Sequence, residues 1–358
     1  MKPHASILLT SLCLLAPAAK AATLSPAIVR SEFIFDKNPV PSCHATTIVQ
    51  ANDGSLVASW FAGTHEKNPD VCIWTARCID GKWSAPEQVA NGIQPDGTRL
   101  PCWNPVLFQP KEGPLMLFYK VGPNCDIWWG LVRTSVDNGK TWSEPTRLPE
   151  IILGPVKNKP VQLADGTLLS GSSWEGQKTG PVWQIHFERS TDNGKTWQFI
   201  KVPQAQDSPP SIQPSILIHP EGRLQALGRT TKGKLFSTTS SDNGLSWSTL
   251  TLLDLPNPNS GTDAVTLKDG QHVLIYNHTP KGRSPLNVAI SRDGLAWQAA
   301  LVLEDTPGEF SYPAVIQTRD GLLHFTYTWK RQLAKHVVVD PAKLTLKPIV
   351  NGQWPVEK

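Results

Sequence analysis

Charge is scarce in this chain. Only 18% of its 358 residues are Asp, Glu, Lys or Arg, and the formal net charge is +4. The Lys and Arg residues are scattered, with no basic cluster interleaved with aromatics, which argues against a nucleic-acid partner. Long amphipathic helices are not expected, because no run places apolar residues at i, i+3, i+4 and i+7. No linker divides the chain into two domains. Metal-ligand spacing is missing too: there is no C-x-x-C pair and no His/Cys/Asp cluster, so neither metal nor cofactor is expected. No apolar run is long enough to cross a membrane. The longest, Ile7 to Leu15, follows Lys2 and precedes Ala19-Lys20-Ala21. That pattern reads as an export signal over residues 1–21, with a mature chain from about Ala22 delivered to the periplasm or the exterior. Cys13 lacks the small residues of a lipoprotein box before it, so no membrane anchor is expected. Five cysteines remain after cleavage, an odd number without a regular framework, and buried free thiols are the preferred reading.

Tryptophan, proline and glycine are plentiful, at 14, 32 and 26 residues. Short apolar stretches broken by Pro or Asp-Gly point to many short strands and an all-β fold. The sequence also repeats itself. Ser135-Val-Asp137-Asn-Gly139-Lys-Thr141-Trp142 recurs at Ser190–Trp197 and Ser240–Trp247, in shortened form at Ser291–Trp297, and in decayed form at Asp80-Gly81-Lys82-Trp83. The tryptophans step by 59, 55, 50 and 50 residues, about one four-stranded propeller blade. Ser and Asp side chains can close such a turn on backbone amides, Gly supplies positive φ, and Trp packs between neighbouring sheets. Between the boxes, apolar runs flank acidic-Gly turns at Asp53-Gly54, Asp165-Gly166, Glu221-Gly222, Asp269-Gly270 and Asp320-Gly321, which predicts inner hairpins. Five box-like turns, plus chain ends long enough for one more blade, predict a six-bladed β-propeller over residues 22–358. Ile28–Phe35 and His336–Val350 are the segments expected to close the ring.

Asp-box repeats at this spacing resemble the sialidase (neuraminidase) family, and the likeness covers nearly the whole mature chain. The resemblance implies an exo-acting glycosidase that removes a terminal acidic sugar from a glycan. It also implies a carboxylate clamp of three arginines. Arg229, after Glu221-Gly222, and Arg283, before Ser291, match the second and third. Where the family carries an Arg-Ile-Pro motif, this chain reads Cys43-His44-Ala45-Thr46, so His44 stands in the place of the first. The acid/base aspartate corresponds to Asp70, with Glu66 a second carboxylate four residues earlier. The nucleophilic tyrosine corresponds to Tyr312 in Glu309-Phe310-Ser311-Tyr312-Pro313. The glutamate that deprotonates it is replaced by Gln213, and an amide cannot accept that proton. Glu309 or Glu175 could substitute. Arg99, Lys120, Lys157-Asn158-Lys159, Glu175 and Asn277-His278 fall at strand ends in the same register and are expected to line the site, a cationic rim suited to an acidic sugar.

Two other classes remain open on the sequence. One is a lyase on uronate polymers, with His44 or Tyr312 abstracting the proton next to the carboxylate. The other is a non-catalytic glycan-binding propeller that lost the glutamate and one arginine. The chain is expected to act as a monomer.

Overall fold

The computed structural model describes residues 25–176 and 183–356. The expected export signal lies outside them. The described chain is all-β, apart from short 3-10 turns at Pro220–Gly222 and Pro341–Lys343. Its strands form six antiparallel sheets, four of four strands and two of five.

Blade I comprises Ser42–Gln50, Leu56–Gly63, Cys72–Ile79 and Lys82–Trp83, with Glu87–Ala90 beside its third strand. Blade II runs through Cys102–Phe108, Leu115–Val121, Trp129–Ser135 and Thr146–Arg147. Blade III is Val161–Gln162, Leu168–Trp174, Gln184–Ser190 and Gln198–Lys201. Blade IV is Ser211–Ile218, Leu224–Thr230, Lys234–Ser240 and Thr251–Pro256. Blade V is Asp263–Thr266, His272–Tyr276, Leu286–Ser291 and Trp297–Glu304, and blade VI is Phe310–Gln317, Leu323–Trp329, Leu333–Val339 and Ile28–Phe33.

Blade VI closes the ring as expected, because the N-terminal strand Ile28–Phe33 pairs antiparallel with Leu333–Val339 and forms the outermost strand of a blade otherwise built from the C-terminal part of the chain. One expectation needs correcting. The closing segment stops at Val339, and the later Lys347–Pro348 pairs instead with Gln298–Ala299 on the outer edge of blade V. Pro341 and the 3-10 turn it starts carry the chain off the ladder.

The boxes do what their chemistry predicts. Ser135 Oγ donates to Asp137 Oδ1 at 2.7 Å and accepts from Gly139 N at 2.7 Å, while Thr141 N and Oγ1 donate to the two Asp137 oxygens at 2.8 and 2.6 Å. The same bonds recur around Asp192 and Asp242, and in reduced form around Asp293. The donors at the Asp192 turn hold its carboxyl down to about 2. At the decayed turn, Asp80 and Gly81 keep positive φ (50° and 74°). Each box tryptophan reaches the preceding blade. Trp247 of blade IV stacks on Phe187 of blade III at 3.7 Å and 10°, and Trp197 of blade III meets Phe118 of blade II edge-on at 6.1 Å. Such aromatic pairs add about 0.5–1.5 kcal/mol beyond the area they bury. The core is therefore a ring of inter-blade clusters, such as Leu169, Phe187, Phe236 and Trp247 between blades III and IV. Near the axis Asp263 accepts bonds from Lys159 Nζ, Ser215 Oγ and Val315 N (2.8, 3.1 and 2.8 Å), tying together blades III, IV, V and VI.

Every box lies at the end of a third strand. The ends of the second strands and the starts of the first strands lie on the opposite face. That face carries the candidate site.

Candidate functional site

The first strands of blades I, II, IV and VI each contain a bulge at the same place. The ladder register breaks between His44 and Thr47, Trp103 and Val106, Ile212 and Ser215, and Ser311 and Ala314. Inside each break one non-glycine residue takes positive φ: Ala45 (57°), Asn104 (34°), Gln213 (59°) and Tyr312 (49°). In three of the four a proline follows (Pro105, Pro214, Pro313), which disfavours right-handed helical geometry at the residue before it. A left-handed residue costs of order 1–2 kcal/mol, and such outliers persist where function requires them. Here the bulges lift one residue per blade out of the strand alternation.

Tyr312 is the hub of the site and is only 9% exposed. Arg229 Nη2 and Gln213 Nε2 both donate toward its hydroxyl oxygen, at 3.3 and 3.4 Å. The guanidinium carbons of Arg229 and Arg283 lie 5.5 and 5.8 Å from the ring centre. Lys157 Nζ is 5.9 Å from the same ring centre. Gly261, the contribution of blade V, leaves room for this crowding. A Cβ there would come within 3.3 Å of both Tyr312 Cδ2 and Lys157 Cε.

His44 lies against Tyr312 with ring centres 4.2 Å apart, and its Nδ1 is 3.1 Å from Thr328 Oγ1. Burial, then the charges of Arg331, Arg283, Arg229 and Lys157, hold its pKa well below the usual imidazole value, so His44 is neutral. Four cations therefore converge on one neutral histidine.

Gln213 Nε2 also donates to Glu175 Oε1 at 2.8 Å, and Ser173 Oγ donates to the same oxygen at 3.2 Å. Burial raises the Glu175 pKa, against the lowering effects of Arg229, Gln213 and Ser173. The amide thus stands between the tyrosine and a buried carboxyl. Gln213 Oε1 and Arg229 Nε are both buried without a bonding partner.

Burial pushes Lys157 down to about 7. Asn158 Oδ1 at 2.9 Å, Thr262 O at 2.6 Å and Pro313 O accept from its Nζ, three acceptors that match the three N–H donors of the ammonium form.

The remaining expected residues divide into those that reach this centre and those that do not. Asp70 sits on the loop between the second and third strands of blade I. Partial burial works to raise its carboxyl, but donation by Thr64 Oγ1 (2.6 Å) and N (2.9 Å) and the nearby Arg99 outweigh that and hold it low. Asp70 Oδ1 is buried without a partner. Arg99 lies behind this loop, donating to Cys72 Sγ at 3.2 Å and to the Asp70 carbonyl, and is not gathered around Tyr312. Lys120 departs from its expected place on the rim. It is fully buried, donates to Pro155 O, and is pushed down to about 7 by burial despite Glu188 and Glu175. Position at a strand end does not reveal this, because the chain from Leu153 to Val156 covers it. Asn277 braces the backbone, donating to Pro285 O and Phe310 O.

Glu309 is engaged by cations and a hydroxyl. Its Oε1 accepts from Arg283 Nη1 (2.7 Å), Arg331 Nε (2.8 Å) and Ser311 Oγ (2.9 Å), and no described bond joins it to Tyr312. Glu66 pairs with Arg331 Nη1 from the same loop as Asp70. Arg331, the third guanidinium of the site, is missing from the sequence reading. It sits at positive φ (58°) in a two-residue turn after Trp329, with no motif around it. Trp183, 5.2 Å from the Arg229 guanidinium, is a second such residue. A sequence signal did exist for the bulges, since Asn104-Pro105, Gln213-Pro214 and Tyr312-Pro313 occupy equivalent places in their blades. The five cysteines are free thiols, four of them buried. Among the described residues no group of three or more His, Cys, Asp or Glu is arranged to hold a metal.

The fold and site together define a six-bladed Asp-box propeller with a tyrosine-centred polar site over one face. A family model described as BNR repeat-like domain matches residues 54–325, and the chain belongs to that family. No curated protein sequence matches it. Among solved structures it is similar to a protein of unknown function from Dyadobacter fermentans (19% identity, TM-score 0.70, covering 88% of this chain and 99% of that one). It is also similar to the NanB sialidase of Streptococcus pneumoniae (13%, TM-score 0.71, 88% and 71%). A third similar structure is the intramolecular trans-sialidase from Ruminococcus gnavus (13%, TM-score 0.72, 90% and 100%). At these identities the likeness establishes the propeller fold shared with sialidases.

Proposed function

We propose that the protein is an exo-acting glycoside hydrolase that removes a terminal acidic sugar from a glycan at Tyr312. The observation that carries this reading is the tyrosine hydroxyl flanked by Arg229 and Gln213 at 3.3 and 3.4 Å, with Arg283 beside the ring. Both neighbours donate to that oxygen, which leaves the hydroxyl's own hydrogen directed away from them. Arg229 and Arg283 are the groups to take the substrate carboxylate, since guanidinium pairs with carboxylate through charge-assisted bonds. Tyr312 then faces the anomeric carbon and Asp70 serves the leaving oxygen. Gln213 cannot accept the phenol proton, and the carboxyl its amide bonds is that of Glu175.

The test is hydrolysis of fluorogenic glycosides of sialic acid and of uronic acids by the wild type and by Tyr312→Phe, Asp70→Asn and Arg229→Met. Losses of about 10²-fold or more in each variant are expected for general acid/base and charge-stabilising groups. Rates unchanged in Tyr312→Phe and Asp70→Asn, or saturable glycan binding with no turnover, would sink the proposal.

One observation favours a second reading. A neutral histidine beside a tyrosine, facing cations able to neutralise a uronate carboxylate, also suits a lyase that abstracts the adjacent proton. Product chemistry separates the two: a lyase leaves an ultraviolet-absorbing double bond and consumes no water.

A further inference from the structure

Three tryptophans of the site face belong neither to the boxes nor to the chemistry just proposed. Trp128, Trp129 and Trp174, with Arg147, Glu150 and Glu175, line a cavity of about 360 Å3 between blades II and III. That volume is at the low end of the roughly 300–1,000 Å3 typical of small-molecule sites. Trp174 is backed by Phe199, stacked at 5.3 Å and 21°, and Trp129 by the Arg147 guanidinium at 4.8 Å. These supports fix the indoles in place, as a rigid recognition surface requires.

The cavity and the tyrosine site share one wall residue. Glu175 lines the cavity and also accepts from Gln213, whose amide donates to the Tyr312 hydroxyl. Two further features mark the rim as a contact surface. Ile151, another lining residue, is 59% exposed, and neighbouring Ile127 is 58% exposed. Ile151 also takes positive φ (69°), an uncommon conformation for a β-branched side chain. Apolar indole walls interspersed with carboxylates and a guanidinium match one ligand chemistry. A pyranose presents C–H faces to aromatic surfaces and hydroxyls to charged acceptors and donors.

We propose that this cavity is the subsite for a neutral pyranose, the residue next to the acidic sugar held at Tyr312. The inference rests on the proposed glycosidase reading, but its test does not require turnover. Lactose, cellobiose and maltose serve as probes, followed by tryptophan fluorescence and saturation-transfer NMR on the wild type, Trp129→Ala and Ile151→Asp. At least one disaccharide is expected to bind with a Kd in the millimolar range or tighter. Both variants should weaken it at least about 5-fold, whereas Tyr312→Phe should leave it unchanged. Ile151 is exposed, so its replacement keeps the test valid should Trp129→Ala fail to fold. No binding of any probe, or binding unaffected by Ile151→Asp, overturns the subsite. Disaccharide binding that follows this pattern while Tyr312→Phe retains full hydrolytic activity would overturn the function of the tyrosine site and leave the subsite standing.

Discussion

Replacing Gln213 by glutamate would restore a carboxyl beside Tyr312, and the geometry predicts a penalty rather than a simple repair. Gln213 is 1% exposed, and its Nε2 lies 2.8 Å from Glu175 Oε1, itself in a residue only 8% exposed. Two carboxylates at that separation repel by about 6 kcal/mol at an effective dielectric constant of about 20. The pair avoids this by keeping one proton, as closely spaced carboxyl dyads do. Holding one carboxyl protonated at pH 7, against an ordinary value of about 4.3, costs up to roughly 3.7 kcal/mol. Arg229, which already acts on Glu175, reduces that cost without cancelling it. Gln213→Glu should therefore lose about 2–4 kcal/mol at pH 7, a fall in Tm of roughly 3–6 °C for a domain of this size. The sign with pH is fixed. The folded variant binds a proton that its unfolded chain has released, so the penalty shrinks as pH falls, to about 1 kcal/mol at pH 5, and vanishes only below about pH 4. Adding Glu175→Gln leaves one carboxyl in the pair and should return Tm to within about 2 °C of wild type. Thermal unfolding of all four proteins at pH 5 and 7 gives the double-mutant cycle. A cycle with no coupling, or a Gln213→Glu protein as stable as wild type at pH 7, would refute the arrangement of Gln213 between Tyr312 and Glu175.

Thr64→Val removes the 2.6 Å hydroxyl donor that helps hold Asp70 low, so the limb of the pH–rate profile that reports Asp70 should move to higher pH; a profile superimposable on wild type would detach Asp70 from the chemistry. Lys157 and Lys120, each pushed down to about 7, bind fewer protons in the folded than in the unfolded state between about pH 7 and 10, so stability should climb with pH across that window. Lys157→Met should reduce that slope, which denaturant titrations at pH 7 and 9 would read. Trp247→Ala removes the 3.7 Å stack on Phe187 and should cost about 3–5 kcal/mol by chemical denaturation, with the specific activity of the folded fraction preserved. A comparable loss of activity per folded molecule would contradict the separation of the boxes from the site.

That separation explains why the architecture was legible in the sequence and the site only partly so. A box is local. Ser135, Asp137, Gly139 and Thr141 bond one another within a few residues, so their spacing survives in the sequence as a pattern. The site is assembled from the far ends of strands in five blades, and its contacts span 38 residues between Gln213 and Glu175 and 99 between Gln213 and Tyr312. Arg229, Arg283 and Tyr312 could be placed only because each sits at a fixed offset from a box or an acidic-Gly turn. Arg331 has no such marker. Its guanidinium reaches the site because the turn after Trp329 takes two successive left-handed residues, a backbone property that side-chain chemistry does not announce. Lys120 fails for the opposite reason. Its register is correct, but the segment that covers it is the connection leading to the next blade. The repeated X-Pro bulge lies between these cases, since it is local enough to be read and is tied to the site. Asn104, Gln213 and Tyr312 occupy one structural position in three blades, each at positive φ before a proline, so one backbone device presents three different side-chain chemistries. The same logic lets an amide stand at Gln213 with the nearest carboxyl one residue further back, at Glu175.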